Sequence, residues 1–136
     1  MKRGQSSVEF ITIFGFIFLM MIPLIIVFFD QSHSVQDNIA QNHIRNIARK
    51  IADEAESMYY LGEPSKTTIK TEFPERIQEI VIENRTILFR YMNSKNTIQD
   101  VLVLSMVNLT GNLSVSPGIH YIHVIADGGF VKINET

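Results

Sequence analysis

The sequence predicts an α+β protein in which a long N-terminal helix packs on a small, mostly antiparallel β-sheet head. Two patterns predict this fold class. Up to Leu61 the chain is first apolar throughout and then amphipathic at helical spacing. From about residue 67 onward, apolar and polar residues alternate, as in half-buried strands. The apolar residues, 46% of the chain, are therefore unevenly spread, and this unevenness divides the chain into segments.

The first segment is long enough to cross a membrane as a helix. The twenty residues Phe10–Phe29 carry no charge, and a helix of that length spans about 30 Å, the thickness of a bilayer's hydrocarbon core. Lys2 and Arg3 precede the run, which predicts a cytoplasmic N-terminus and an external remainder. The run is too long for the core of an ordinary secretory signal peptide, whereas a plain signal anchor stays open.

A short motif lies directly before the apolar run and reads Gly4-Gln5-Ser6-Ser7-Val8-Glu9. It resembles the class III signal peptide of archaeal type IV pilins, in which a membrane peptidase cuts a short basic leader between Gly and Gln. Carried over by position, the resemblance implies cleavage between Gly4 and Gln5, and it places the family's Gln-x-Ser-x-Glu pattern on Gln5, Ser7 and Glu9. Archaellins usually have small residues where this chain has Glu9 and Phe10, which favours a pilin.

The resemblance implies a type IV pilin-like fold in four segments: a leader (1–4), a transmembrane and filament-core helix (5–30), an amphipathic helix half (31–62) and a β-rich globular head (63–136). It implies a structural subunit made as a membrane precursor, with its head outside, and polymerised through its apolar helix into an extracellular surface filament, with adhesion as the default role. The implied partners are further copies of the chain, a prepilin peptidase, a pilus assembly ATPase, a membrane platform protein and, before assembly, membrane lipid. Two alternatives stay open: a minor or initiating pilin-like protein, and a signal-anchored surface module that binds a ligand without polymerising.

Glu9 is a carboxylate at the edge of the apolar run, where an unpaired charge is costly. Cleavage before Gln5 creates a new α-amine that a neighbouring subunit's Glu9 can pair with, which sets the axial register of a filament. A second interpretation is local: Ser6 and Glu9 form the Ser-x-x-Glu capping box that starts a helix. The two roles are compatible, and Gln5 and Glu9 are the predicted assembly residues.

The amphipathic half carries one apolar stripe at helical spacing. Gly62 and Pro64 then stop the helix, so a single helix is expected from about Ser6 to Leu61, bent or frayed near Pro23 and Asp30. Charged residues off the stripe are expected to form a solvated face: Arg45, Arg49, Lys50, Asp53, Glu54 and Glu56. The stripe itself comprises Val35, Ile39, Ile44, Ile47, Ala48, Ile51, Ala52, Ala55 and Met58.

The head is expected to contain about six short strands. A hairpin is predicted around Glu83-Asn84-Arg85, a turn at residues 93–96, and a further turn at Asp127-Gly128-Gly129. The continuous apolar run Val101–Leu104 is typical of a central strand. Leu113 and Val115 alternate with polar residues and predict another short strand.

Composition and motifs argue against several functions. The net charge of −2 is unlike the basic excess of nucleic-acid-binding proteins. No Cys is present, and the motifs of common enzyme classes are absent. His120 and His123 fall on opposite faces of one strand, and His33 and His43 are too far apart on a helix, so neither a metal nor another cofactor is expected. Four sequons are glycosylation candidates in predicted turns or the tail: Asn84, Asn108, Asn112 and Asn134.

Overall fold

The computed structural model describes residues 3–136, with side chains from Ser7 onward. A single helix, α1, runs without interruption from Arg3 to Leu61, which confirms the predicted long helix; it is not frayed at Pro23 or at Asp30. The helix begins before Ser6, so the prediction that a Ser6–Glu9 capping box starts it is wrong for this chain. The chain separates into two compact units, one ending at Gln36 and the other beginning at Asp37. The described part of the first unit, residues 3–36, is helix, and the second unit contains the end of α1 and the five strand spans described below.

Five strand spans follow the helix, and their pairing is antiparallel except between β3 and β5. They lie in one sheet in the order β1-β4-β5-β3-β2, so the α+β fold class is confirmed. The expected strand at Leu113 and Val115 is wrong, because β3 ends at Asn112 and Leu113 is buried without pairing in the sheet. The spans are β1 Lys66–Phe73, β2 Ile77–Met92, β3 Ile98–Asn112, β4 Gly118–Asp127 and β5 Phe130–Glu135.

The long span β2 folds back on itself. An extended strand of 16 residues is roughly 50 Å long, yet the Met92 amide donates to the carbonyl of Arg76 at 3.0 Å. The side chains of Arg90 and Glu79 also meet, at 2.5 Å. The reversal lies at the register break beside Asn84, whose φ is 54°. The predicted hairpin around Glu83-Asn84-Arg85 is therefore confirmed, with a first arm at 77–82 and a second arm at 86–92.

The span β3 reverses as well. Residues 98–104, the outer arm of β3, run antiparallel to the second arm of β2, while Leu109–Gly111 run antiparallel to Ile82–Asn84 at the end of its first arm. Because the two arms of β2 run in opposite directions, the two parts of β3 must do so too. The connecting residues 105–108 pass around the β2 bend, where Arg85 donates to the carbonyl of Met106 at 2.7 Å. The four segments thus have the order of a Greek key, and the outer arm of β3 is left at the edge of the sheet.

The core of the second unit lies between the helix stripe and one face of the sheet. From Ile44 to Met58 every predicted stripe residue is buried. Val35 and Ile39 are 48% and 64% exposed, so their assignment to the buried stripe is wrong; helical spacing identifies a face but not how far along the helix the sheet reaches. On the sheet side of this core, the largest buried side chains include Phe73 and Phe89, whose rings meet edge-on.

Candidate assembly surface

The apolar helix has no partner within the first unit. Every large apolar side chain from Val8 to Phe29 is between 48% and 70% exposed, on all sides of the helix. Among the described residues this helix is long and apolar enough to cross a membrane. An all-round apolar helix must be covered by lipid or by other helices. This surface is therefore the candidate assembly surface.

Glu9 lies at the start of this surface and is exposed. No salt bridge to Glu9 forms within the described side chains, 7–136. One turn further on, the Thr12 hydroxyl donates to the carbonyl of Val8 at 2.8 Å, which satisfies that hydroxyl inside the apolar segment. Gly4 and Gln5 lie within the helix but their side chains are outside the described set, and Lys2 lies outside the described residues altogether. Cleavage at Gly4 therefore stays a prediction.

Aromatic side chains form a ladder along one side of the same helix. The ring centroids of Phe10 and Phe14 are 5.0 Å apart, and those of Phe14 and Phe18 are 6.0 Å apart. Spacing by four residues places these rings on one face. Nothing lies within 4 Å of the position a Cβ would take at Gly15, so that part of the surface is open to the close approach of another helix.

In the second unit, helix side chains contact the β1 edge of the sheet and the connecting residues 105–108 of β3. His43 contacts the carbonyl of Glu72 at 3.0 Å and the Lys50 ammonium contacts that of Lys70 at 3.5 Å, both on β1. In the connecting residues 105–108, the Met106 amide donates to Glu56. Lys50 is exposed, as expected for a solvated charged face. That expectation is wrong at Glu56, which is half-buried because its carboxylate binds the connecting residues of β3.

Glu56 holds the crossing segment of β3. Its carboxylate accepts from the Met106 amide at 2.8 Å and from the Ser105 hydroxyl at 3.1 Å. We expect Glu56→Ala to lower the free energy of unfolding by about 1–2 kcal/mol, because an amide hydrogen bond to a charged acceptor is lost. Chemical denaturation of the full chain in detergent measures this, with Asp53→Ala, at an exposed helix position, as the control. Equal stability of the two variants would contradict the role assigned to Glu56.

The start of the second unit is fixed to the β2–β3 turn. Asp37 accepts from the amide and the hydroxyl of Ser94 at 2.8 and 2.7 Å. The predicted turn at residues 93–96 is confirmed, with Asn96 at a φ of 56°. Burial, and then the charge of Asp37, raise the pKa of Tyr91, which lies beside this turn; Arg45 acts in the opposite direction. The phenol is thus held in its neutral form.

The two strand histidines lie on opposite faces of β4, as expected. His120 is buried and stacked on Phe73, with ring centroids 4.3 Å apart. Its Nε2 contacts the Ser116 carbonyl at 2.7 Å and its Nδ1 contacts the carboxylate of Glu135. The two ring nitrogens thus connect the Ser116 carbonyl with the carboxylate of Glu135. His120 therefore fastens β5 and the preceding loop to β4.

The sequons lie partly where they are expected. The exposed Asn84 is in the β2 bend, as predicted. Asn108 and Asn112 are exposed but lie within β3, so their placement in turns is wrong. Asn134 lies in the tail, as expected, as part of β5. Glycosylation at these four positions stays a prediction.

Among the described residues, no group of three or more His, Cys, Asp or Glu side chains could hold a metal ion. Comparison with known proteins adds no relative: no family model matches the chain, no curated protein matches it, and no solved structure matches it. The surfaces of the molecule itself must therefore indicate its function.

One surface of the second unit is not predicted by the sequence patterns. Arg45 and Arg49 lie beside the outer arm of β3, where they line a groove with Leu102, Val103 and Leu104. The only signals in the sequence are two arginines four apart beside the apolar stripe and an unusually apolar strand. Neither pattern says that the two segments are neighbours, because the contact depends on the reversal of β3.

Proposed function

We propose that this chain is the structural subunit of a type IV pilus-like surface filament, made as a membrane precursor and polymerised through its N-terminal helix. The observation that carries this proposal is the all-round exposure of the apolar side chains from Val8 to Phe29. In a membrane, lipid covers such a helix. In a filament, copies of the same helix cover it, and close packing of small and apolar side chains favours the exchange.

The two units differ in how their apolar helix residues are buried, as this function requires. From Ile44 onward the apolar stripe is buried by the chain's own sheet, so that part needs no further cover. Among the described side chains of the first unit, the apolar ones from Val8 to Phe29 are not covered by the chain itself. Such a subunit has a folded head outside the membrane, while its apolar helix is free to pack against lipid or other subunits. The motif Gln5-Ser6-Ser7-Val8-Glu9 supports the same proposal, since it lies where a prepilin peptidase would cut and where Glu9 would meet a neighbour's new amine.

The proposed partners follow from this function. A prepilin peptidase would remove residues 1–4, and an assembly ATPase with a membrane platform protein would move the processed subunit from lipid into the filament. The carboxylate, hydroxyl and histidine groups described above serve structural contacts, and we propose no enzymatic activity. Adhesion through the exposed head is the proposed role of the filament.

The N-terminus of the protein isolated from its native cells tests the proposal. Intact-mass measurement is expected to give a chain that begins at Gln5, and electron microscopy of material sheared from the cell surface is expected to show filaments that contain it. Gly4→Leu, which places a branched side chain at the scissile bond, is expected to keep residues 1–4 and to yield no filaments. Gly15→Ala is the matched control and is expected to be processed normally.

A different pair of results would reject the proposal. A wild-type protein that keeps its Lys2-Arg3 leader and remains a monomer in the membrane would identify a signal-anchored surface module. Normal processing with other subunits forming the bulk of the filaments would identify a minor or initiating subunit.

A further inference from the structure

Val101–Leu104, in the outer arm of β3, form a continuous apolar run like that of a strand buried on both faces, yet the arm lies at the edge of the sheet. Val101 is 2% exposed, whereas Leu102 and Leu104 are 55% and 69% exposed. A continuous apolar run is typical of central strands. Soluble proteins usually protect an edge strand with charged residues, prolines or a covering element. This combination indicates that the arm lacks a neighbour which its sequence is suited to have.

The backbone of the same arm has hydrogen-bonding groups directed away from β2. The Asn93 amide donates to the Thr97 carbonyl at 2.9 Å, which makes residues 93 and 97 a hydrogen-bonded pair. By antiparallel alternation, the amides and carbonyls of Leu102 and Leu104 then point outward. The Met106 amide fits this assignment, since it donates to Glu56 on the helix rather than to β2.

Within the described chain no strand occupies this side. The parallel pairing of β5 with β3 involves only Leu109–Asn112, so it does not reach the outer arm. The outward groups of Leu102 and Leu104 therefore form a short open template to which one more strand can be added.

The groove along this edge is positively charged. Arg45 and Arg49 line it together with the outer arm, and neither forms a salt bridge within the described residues. Four residues along a helix advance about 6 Å, and two residues along a strand advance about 6.6 Å. Carboxylates two residues apart on an added strand thus match the spacing of the two arginines.

We propose that the outer arm of β3 is a strand-addition site for an extended segment of another protein that carries carboxylates at alternate positions. The added strand pairs with the backbone of Leu102 and Leu104. Its acidic side chains face Arg45 and Arg49. Its intervening side chains lie beside the exposed leucines and are apolar.

A second copy of this chain fits the site less well, for reasons of charge. Pairing two outer arms would bring Arg45 and Arg49 of one copy close to the same residues of the other. The opposite edge of the sheet, β1, is flanked by Lys50 and His43, so joining it to the outer arm also places basic groups together. Like charges at an interface disfavour that pairing.

Binding of a designed peptide to the full chain in detergent micelles tests the proposal. The probe is a fluorescent ten-residue peptide of alternating Val and Thr in which two Thr, two positions apart, are replaced by Glu. We expect saturable binding by fluorescence anisotropy, with hydrogen-exchange protection of the Leu102 and Leu104 amides. The double variant Arg45→Gln/Arg49→Gln is expected to bind roughly fivefold more weakly, because two partly exposed ion pairs are lost. The charge-matched control Lys66→Gln/Lys132→Gln is expected to bind like the wild type.

A second probe does not depend on the folding of any variant. The same peptide with its edge-facing amides N-methylated keeps both carboxylates but cannot pair along a strand, and it is expected to lose binding. Equal binding of the methylated peptide, equal affinity of the two double variants, or protection elsewhere in the head would each overturn the proposal. So would protection of Leu102 and Leu104 by phosphatidylglycerol vesicles but not by the peptide, since that would assign the groove to a membrane surface. The filament proposal is unaffected by these outcomes, because it depends on the first unit.

Discussion

Gly111→Ala is expected to destabilise the second unit severely. A Cβ at this position would lie 2.0 Å from the carbonyl oxygen of Ile133 and 2.8 Å from its carbonyl carbon. Both atoms belong to the backbone of β5, which is paired with β3 at this point. The clash cannot be relieved by rotating a side chain, so β5 must move away from β3.

The expected loss is about 3 kcal/mol in the free energy of unfolding, near the upper end for overpacked sites. For a unit of this size that corresponds to a fall of roughly 15 °C in Tm, measured by circular dichroism on the full chain in detergent. Gly15→Ala is the control, because nothing lies within 4 Å of its Cβ position. A Gly111→Ala protein that melts together with the Gly15→Ala control would show that β5 does not approach β3 so closely.

Glu9→Gln is expected to abolish filament formation while leaving the subunit processed and in the membrane. Glutamine has nearly the same size and helix propensity as glutamate, so the helix is preserved. It carries no charge, so the neighbour's new α-amine would be buried without its partner. Breaking a buried ion pair from one side costs about 3–5 kcal/mol, and the cost recurs at every subunit contact along the filament.

The measurement is the ratio of the subunit in sheared filaments to the subunit in the membrane fraction, which we expect to fall about a hundredfold or more. Intact-mass analysis of the membrane fraction must show normal cleavage, which separates an assembly defect from a processing defect. Glu83→Gln, at an exposed carboxylate in the β2 bend, is the matched control. Wild-type filament yield from Glu9→Gln would reject the pairing role of Glu9.

Local sequence patterns predict much of the secondary structure. The helix end before Gly62, the hairpin around Asn84, and the turns at residues 93–96 and 127–129 all depend on residues close together in the chain. Each is fixed by the allowed backbone angles or by hydrogen bonds over a few residues. Side-chain periodicity likewise identifies the buried face of the helix from Ile44 onward.

Patterns of the same kind fail where burial depends on distant segments. Val35 and Ile39 continue the stripe but are exposed. The helix sequence alone does not indicate how far along the helix the sheet extends. Leu113 alternates like a strand residue and is buried, yet it lies beyond the end of β3. Glu56 has the spacing of a solvated face, but the connecting residues 105–108 of β3 lie within reach of its carboxylate.

The sequence by itself determined that a twenty-residue uncharged segment precedes an α+β region, since hydropathy and period are properties of consecutive residues. Only the tertiary structure decided that Val101–Leu104 lies at a sheet edge beside Arg45 and Arg49. The reason is that the order of strands follows from chain reversals and long-range pairing. Both depend on which distant surfaces pack against each other in the folded chain. A local apolar pattern does not distinguish a central strand from an edge strand that binds a further strand.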